Sequence, residues 1–127
     1  MNIKLLLIFT IIFILLDLTW ISYFSKYIIF MIENIQNEKV VIDTFGFIMA
    51  YTIMIIAYWN IAFDEKYQPK YIASIMLGLG IYGTYEFTNY ATITKWKNNN
   101  ILLMDIGWGI FNSFFSLYIT NKIYNSI

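Results

Sequence analysis

Residues 5–24 read LLLIFTIIFILLDLTWISYF, an unbroken apolar run interrupted by one charge, Asp17. A hydrocarbon core of roughly 30 Å is crossed by about 20 apolar residues at a helical rise of about 1.5 Å each. The run is therefore expected to be a membrane-spanning helix with an acid inside it. Three further stretches have the same character: Thr44–Phe63, Tyr71–Ala91 and Ile101–Thr120. Each is bounded by Lys, Asn, Asp or Glu, and Pro69 stands just before the third, where a helix can begin. Lys4 ahead of the first run resembles a signal peptide, but the run is too long, contains Asp17 and lacks a small-residue cleavage site, so it reads as a retained helix.

The expected fold is all-α: an integral membrane bundle of four transmembrane helices in a single domain over residues 1–127. Between the first two spans, Tyr27, Ile28, Met31, Ile32 and Ile35 recur at helical spacing among polar residues. That pattern predicts a short interfacial helix, with a continuation of the first helix as the alternative.

Composition leads to the same class. Of 127 residues, 60% are hydrophobic and 13% charged, whereas soluble domains are about 45–50% apolar and about 25% charged. The lipid bilayer is the natural solvent for such a chain. The net charge is zero and all eight basic residues are Lys, which gives no footprint for nucleic acid. Cys and His are absent, excluding disulfides, thiol chemistry, zinc sites and imidazole catalysis. Let side A hold both termini and the second loop, and side B the first and third loops. Lysines divide equally between the sides, and the terminal amine tips the expected orientation towards cytoplasmic termini.

The informative residues are Asp17, Glu86 and Asp105, because acids inside spanning helices are costly and usually face protein or water. Following the chain direction, Asp17 lies about 10 Å, Glu86 about 8 Å and Asp105 about 6 Å below side B. All three fall in one slab, to which helix two adds no ionisable group. Tyr82 and Asn89 share a helix face with Glu86, and Thr88 lies near that level on a neighbouring face. Asp105, Gly109, Asn112 and Ser116 form a small, polar stripe on the fourth span. Trp20 and Trp108 each follow an acid by three residues and can donate an indole N–H into the cluster.

Structural roles compete with these. Asp105 is placed to stabilise the start of helix four. Asn112, Ser113 and Ser116 suit interhelical hydrogen bonding, and Gly78, Gly80 and Gly83 suit close helix approach. Tyr and Trp near span ends suit interfacial anchoring.

Three segments carry a family resemblance: LDLTW at Leu16–Trp20, TYEFTNYAT at Thr84–Thr92 and DIGWG at Asp105–Gly109. In this order on the first, third and fourth spans they resemble the small bacterial membrane family Domain of Unknown Function 2177. The resemblance covers nearly the whole chain and implies four spans, with the family pattern falling on Asp17, Trp20, Thr84, Tyr85, Glu86, Thr88, Asn89, Ala91, Thr92, Trp96, Asp105, Trp108 and Gly109. Glu86 stands where the family pattern implies Asp, and Lys97 where a Pro often follows the Trp. The resemblance implies no particular activity.

Three function classes fit. The preferred one is a permease-like or binding module for a cation, a proton-coupled solute or a small polar molecule, using Asp17, Glu86 and Asp105 with Trp20, Tyr82, Thr88, Asn89, Trp108 and Asn112. Four helices make a thin wall, so a transport path calls for a homo-oligomer. A structural subunit would pair the acids with a membrane-protein partner. A membrane enzyme acting on a lipid or isoprenoid would use Asp17, Glu86 and Asp105 to hold Mg²⁺, since no cofactor is otherwise evident and no nucleophile–base pair is present.

Overall fold

A computed structural model of the chain describes residues 2–64, 66 and 68–127. Four helices follow in order: α1 (Ile3–Gln36), α2 (Thr44–Ala62), α3 (Tyr71–Thr92) and α4 (Asn99–Tyr124). Side chains fix three of the starts. Asn2, Asp43 and Asn98 each accept a hydrogen bond from the backbone N–H three residues on, satisfying donors the helix itself leaves open. α3 starts directly after Pro69 and Lys70, and a short bridge pairs Phe63 with Pro69 to close the α2–α3 turn.

The short interfacial helix expected between the first two spans is not a separate element. Its residues are helical, but they continue α1, which runs 34 residues to Gln36 and stops at Asn37 in the left-handed conformation (φ 57°). No Gly or Pro interrupts residues 24–36, so nothing in the local sequence ends the first helix at the membrane surface. At about 51 Å, α1 exceeds the hydrocarbon core by several turns and projects on side B.

α1, α2 and α4 are long and apolar enough to cross a membrane. α3 matches them in length at 22 residues but carries three glycines, four tyrosines, Glu86 and Asn89. It lies antiparallel along α4. Asn121 meets the Tyr71 hydroxyl at the side A end, the Ser74 hydroxyl donates to the Ser113 carbonyl (2.8 Å), and Gly78 sits against the backbone of Gly109. Ser74, Gly78 and Glu86 on α3 are thus turned towards protein.

The bundle has two halves. Towards side A, Leu5, Phe9 and Phe13 pack with Tyr58, Ala62, Phe63 and Leu117 in an apolar core. Along α1 the buried positions are Leu5, Phe9, Phe13 and then Asp17, each four residues on, so the apolar stripe ends in a carboxylate. α4 lies between α1 and α3 and buries Asp105, Asn112, Ser113, Ser116 and Thr120. Outward faces carry Leu7, Ile11, Leu15, Phe45, Ile53 and Ile72, as a lipid-facing surface should.

Of the glycines expected to allow close approach, Gly78 does so and Gly80 and Gly83 do not. A Cβ on Gly78 would collide with the Gly109 carbonyl and the Ser113 hydroxyl, and one on Gly109 would collide with the Tyr82 ring. Nothing lies within 4 Å of a Cβ on Gly80. Gly78→Ala and Gly109→Ala are therefore expected to destabilise by about 1–3 kcal/mol through overpacking. Gly80→Ala should leave the melting temperature in detergent unchanged or slightly raised, and an equal loss at all three positions would contradict this packing.

Candidate functional site

All three intramembrane acids are buried: Glu86 is 2%, Asp17 4% and Asp105 9% exposed. They line one cavity of about 340 Å³ among the four helices, walled also by Trp20, Tyr82, Tyr85, Trp96 and, from α2, Met54. Ile28, Met31 and Ile101 form its side B rim. The depth reckoned from span order thus corresponds to a shared chamber, although the three acids do not form one donor set.

Asp17 is enclosed by four donors. The Tyr51 and Tyr82 hydroxyls, the Trp108 indole (2.9 Å) and the Asn112 amide (3.4 Å) all donate to its carboxylate. They come from α2, α3 and α4, so this carboxylate ties together all four helices. Ser116 donates to Asn112 Oδ1 (2.8 Å), which orients the amide towards Asp17. An acid at a helix centre costs roughly 2.5–3.5 kcal/mol to insert. Four interhelical hydrogen bonds at about 0.6 kcal/mol each return most of that.

Glu86 and Asp105 form a second centre. Both are buried and line the same cavity. The Trp96 indole donates to Glu86 (2.9 Å) and the Trp20 indole to Asp105 (3.3 Å). Asn98, not Asp105, caps α4, so the helix-start role considered for Asp105 falls to another residue. Among the described residues, no group of three Asp, Glu, His or Cys side chains is arranged to hold a metal ion. The three acids are not gathered around one point, because Asp17 is turned to its own donors.

Trp20 and Trp108 donate as anticipated from their spacing, but each crosses to the other helix. Trp20, one turn after Asp17, bonds Asp105; Trp108, one turn after Asp105, bonds Asp17. The two indoles stack with centroids 4.8 Å apart and planes 1° from parallel. Because α1 and α4 are antiparallel, the same Asp-x-x-Trp spacing on both makes the exchange reciprocal.

Two expected residues lie outside the cluster. Thr88 is exposed, and neither Thr88 nor Asn89 lines the cavity. Two further residues bond the acids. Tyr51 sits at the depth of Asp17, which the helical rise along α2 would have shown had phenols been counted with carboxylates. Trp96, a residue of the family pattern, reads by position as an interfacial anchor; it is only 5% exposed and serves Glu86.

The family model described as Predicted membrane protein (DUF2177) matches residues 2–121. The chain belongs to this family. No curated protein and no solved structure gives a significant match. Membership in DUF2177 agrees with the helical membrane fold, and the matched region contains the two carboxyl centres and their indole partners.

Tyr51→Phe and Trp108→Phe should each destabilise the protein in detergent by about 1–2 kcal/mol, since each leaves Asp17 short of a donor. Thr88→Val should have no effect on melting. Indifference to Tyr51→Phe would contradict the enclosure of Asp17.

Proposed function

We propose that this DUF2177 protein is a permease-like binding module that takes a small cation or cationic solute at the Glu86–Asp105 pair. The observation that carries this reading is that two buried carboxyl groups line one cavity with neutral indoles instead of lysines as their partners. Two carboxylates lining one small, water-poor cavity repel each other, and a cation between them relieves that repulsion. The remaining walls are aliphatic, from Ile21, Met54 and Ile81 among others, and aromatic, from Trp20, Tyr82, Tyr85 and Trp96. Ring faces attract ammonium groups, and more strongly where water is excluded. At about 340 Å³ the chamber falls at the small end of ligand sites, which are about 300–1,000 Å³.

In this reading the acids divide their work. Asp17, saturated by four donors, holds Tyr82 and Trp108 in place. Glu86 and Asp105 meet the ligand. A continuous path across the bilayer would need a second copy of the chain, because the apolar core around Phe9, Phe13 and Leu117 closes the side A half.

Trp20 and Trp96 report on the cavity directly. Tryptophan emission of the purified protein is expected to respond to methylammonium or tetramethylammonium and not to sodium at matched ionic strength. Glu86→Gln and Asp105→Asn should each weaken the response at least about tenfold, as expected for losing one charged hydrogen-bond partner. Lys122→Gln should leave it intact. No response to any ammonium ion, or one indifferent to both carboxyl changes, would overturn the proposal.

A further inference from the structure

A second concavity, of about 760 Å³, lies on side B between the projecting part of α1 and the α3–α4 loop. Its polar groups are Lys26, Lys95, Lys97 and the asparagines at the start of α4, and its apolar wall is Phe30, Met31 and Ile35. We propose that this groove binds the headgroup of an anionic phospholipid from the side B leaflet.

Charge is the first argument. Three exposed lysines converge on one groove, and two of them bond only weak acceptors: Lys95 reaches the Asn34 carbonyl (3.3 Å) and Lys97 the Tyr90 carbonyl. Lys97 also lies over the Tyr90 ring at 3.7 Å, and Lys26 over the Tyr27 ring at 5.0 Å. α4 begins in the groove at Asn98–Ile101, and the positive end of a helix dipole favours an anion there.

Depth is the second. The groove starts one to two turns above the slab holding Asp17, Glu86 and Asp105, which places it in the headgroup layer. Tyr27 and Phe30 are 52% and 68% exposed on the same stretch of α1, aromatic residues of the kind that sit at that level. A ligand here meets lysines on one side and Met31 and Ile35 on the other. That combination suits a phosphate attached to acyl chains better than a free anion, because the apolar wall gives a free phosphate nothing to bind.

The groove shares Met31 and Ile101 with the rim of the carboxyl-lined cavity, so its occupant would sit over that cavity. A bound phosphodiester, with its single negative charge, would offset part of the positive charge of the three lysines above it. The inference does not depend on what the cavity holds.

The test compares lipids retained by the detergent-purified full chain, read by native mass spectrometry. Phosphatidylglycerol and phosphatidylcholine are offered at equal concentration. The wild type should retain phosphatidylglycerol at least about tenfold more tightly, given the attraction each basic residue near an anionic leaflet contributes. Lys26→Gln, Lys95→Gln and Lys97→Gln combined should abolish the preference, and the same three positions changed to Arg should keep it. Lys4→Gln, Lys66→Gln and Lys70→Gln combined make an equal change of charge on side A and should leave the preference intact. Millimolar inorganic phosphate should not displace the lipid. Equal retention of the two lipids, an equal loss from the side A triple variant, or displacement by inorganic phosphate would each overturn the proposal.

Discussion

Inside a bilayer no water is at hand to satisfy a polar group, so every carboxylate in a span must find its donors within the protein. This constraint organises the bundle. Asp17 ends the apolar stripe of α1 at the level where α2, α3 and α4 each present a donor, and the helices are held together there by Tyr51, Tyr82, Trp108 and Asn112. Between lipid-bathed helices apolar surface gives little net attraction, because the lipid tails are equally apolar. Close backbone approach at Gly78–Gly109 and the buried hydrogen bonds of α4 supply what hydrophobic burial supplies in water.

The reciprocal exchange between α1 and α4 adds a second consequence. Two Asp-x-x-Trp turns face one another on antiparallel helices, and each indole serves the carboxyl of the opposite helix. Register is thereby fixed: sliding one helix by a turn would break both bonds and the indole stack together. With Asp17 committed to this scaffold, Asp105 retains one indole and a neighbouring acid, Glu86, as its surroundings. A saturated carboxylate and an undersupplied pair thus stand side by side in one chamber. The difference in donors is the physical basis for giving them different roles.

Much of this was legible in the sequence. Span lengths gave four helices, chain direction put Asp17, Glu86 and Asp105 at one depth, and the three-residue spacing singled out Trp20 and Trp108 as donors. Depth along a helix follows from rise alone, so it survives without knowledge of packing. Azimuth does not. Thr88 and Asn89 lie near the right level but face away from the acids, and which carboxyl each indole would reach depended on how α1 and α4 face one another. The extension of α1 stood in the sequence only as the alternative to a separate interfacial helix, because the end of an apolar run marks the membrane surface and not the end of a helix. Tyr51 was passed over because a phenol in an apolar run counts as hydrophobic until a carboxylate stands opposite it.

Solid-state NMR in lipid bilayers can read which indole serves which of the three acids in the chamber, two of the bonds crossing between α1 and α4. With ¹⁵N in the indoles and ¹³C in the Asp and Glu carboxyls, dipolar recoupling measures which nitrogen is near which carboxyl carbon. The structure requires Trp20 to contact Asp105, Trp108 to contact Asp17 and Trp96 to contact Glu86, each at about 4 Å, the span of one hydrogen bond plus a C–O bond. Trp20 paired with Asp17 on its own helix, or indoles with no carboxyl in range, would contradict it.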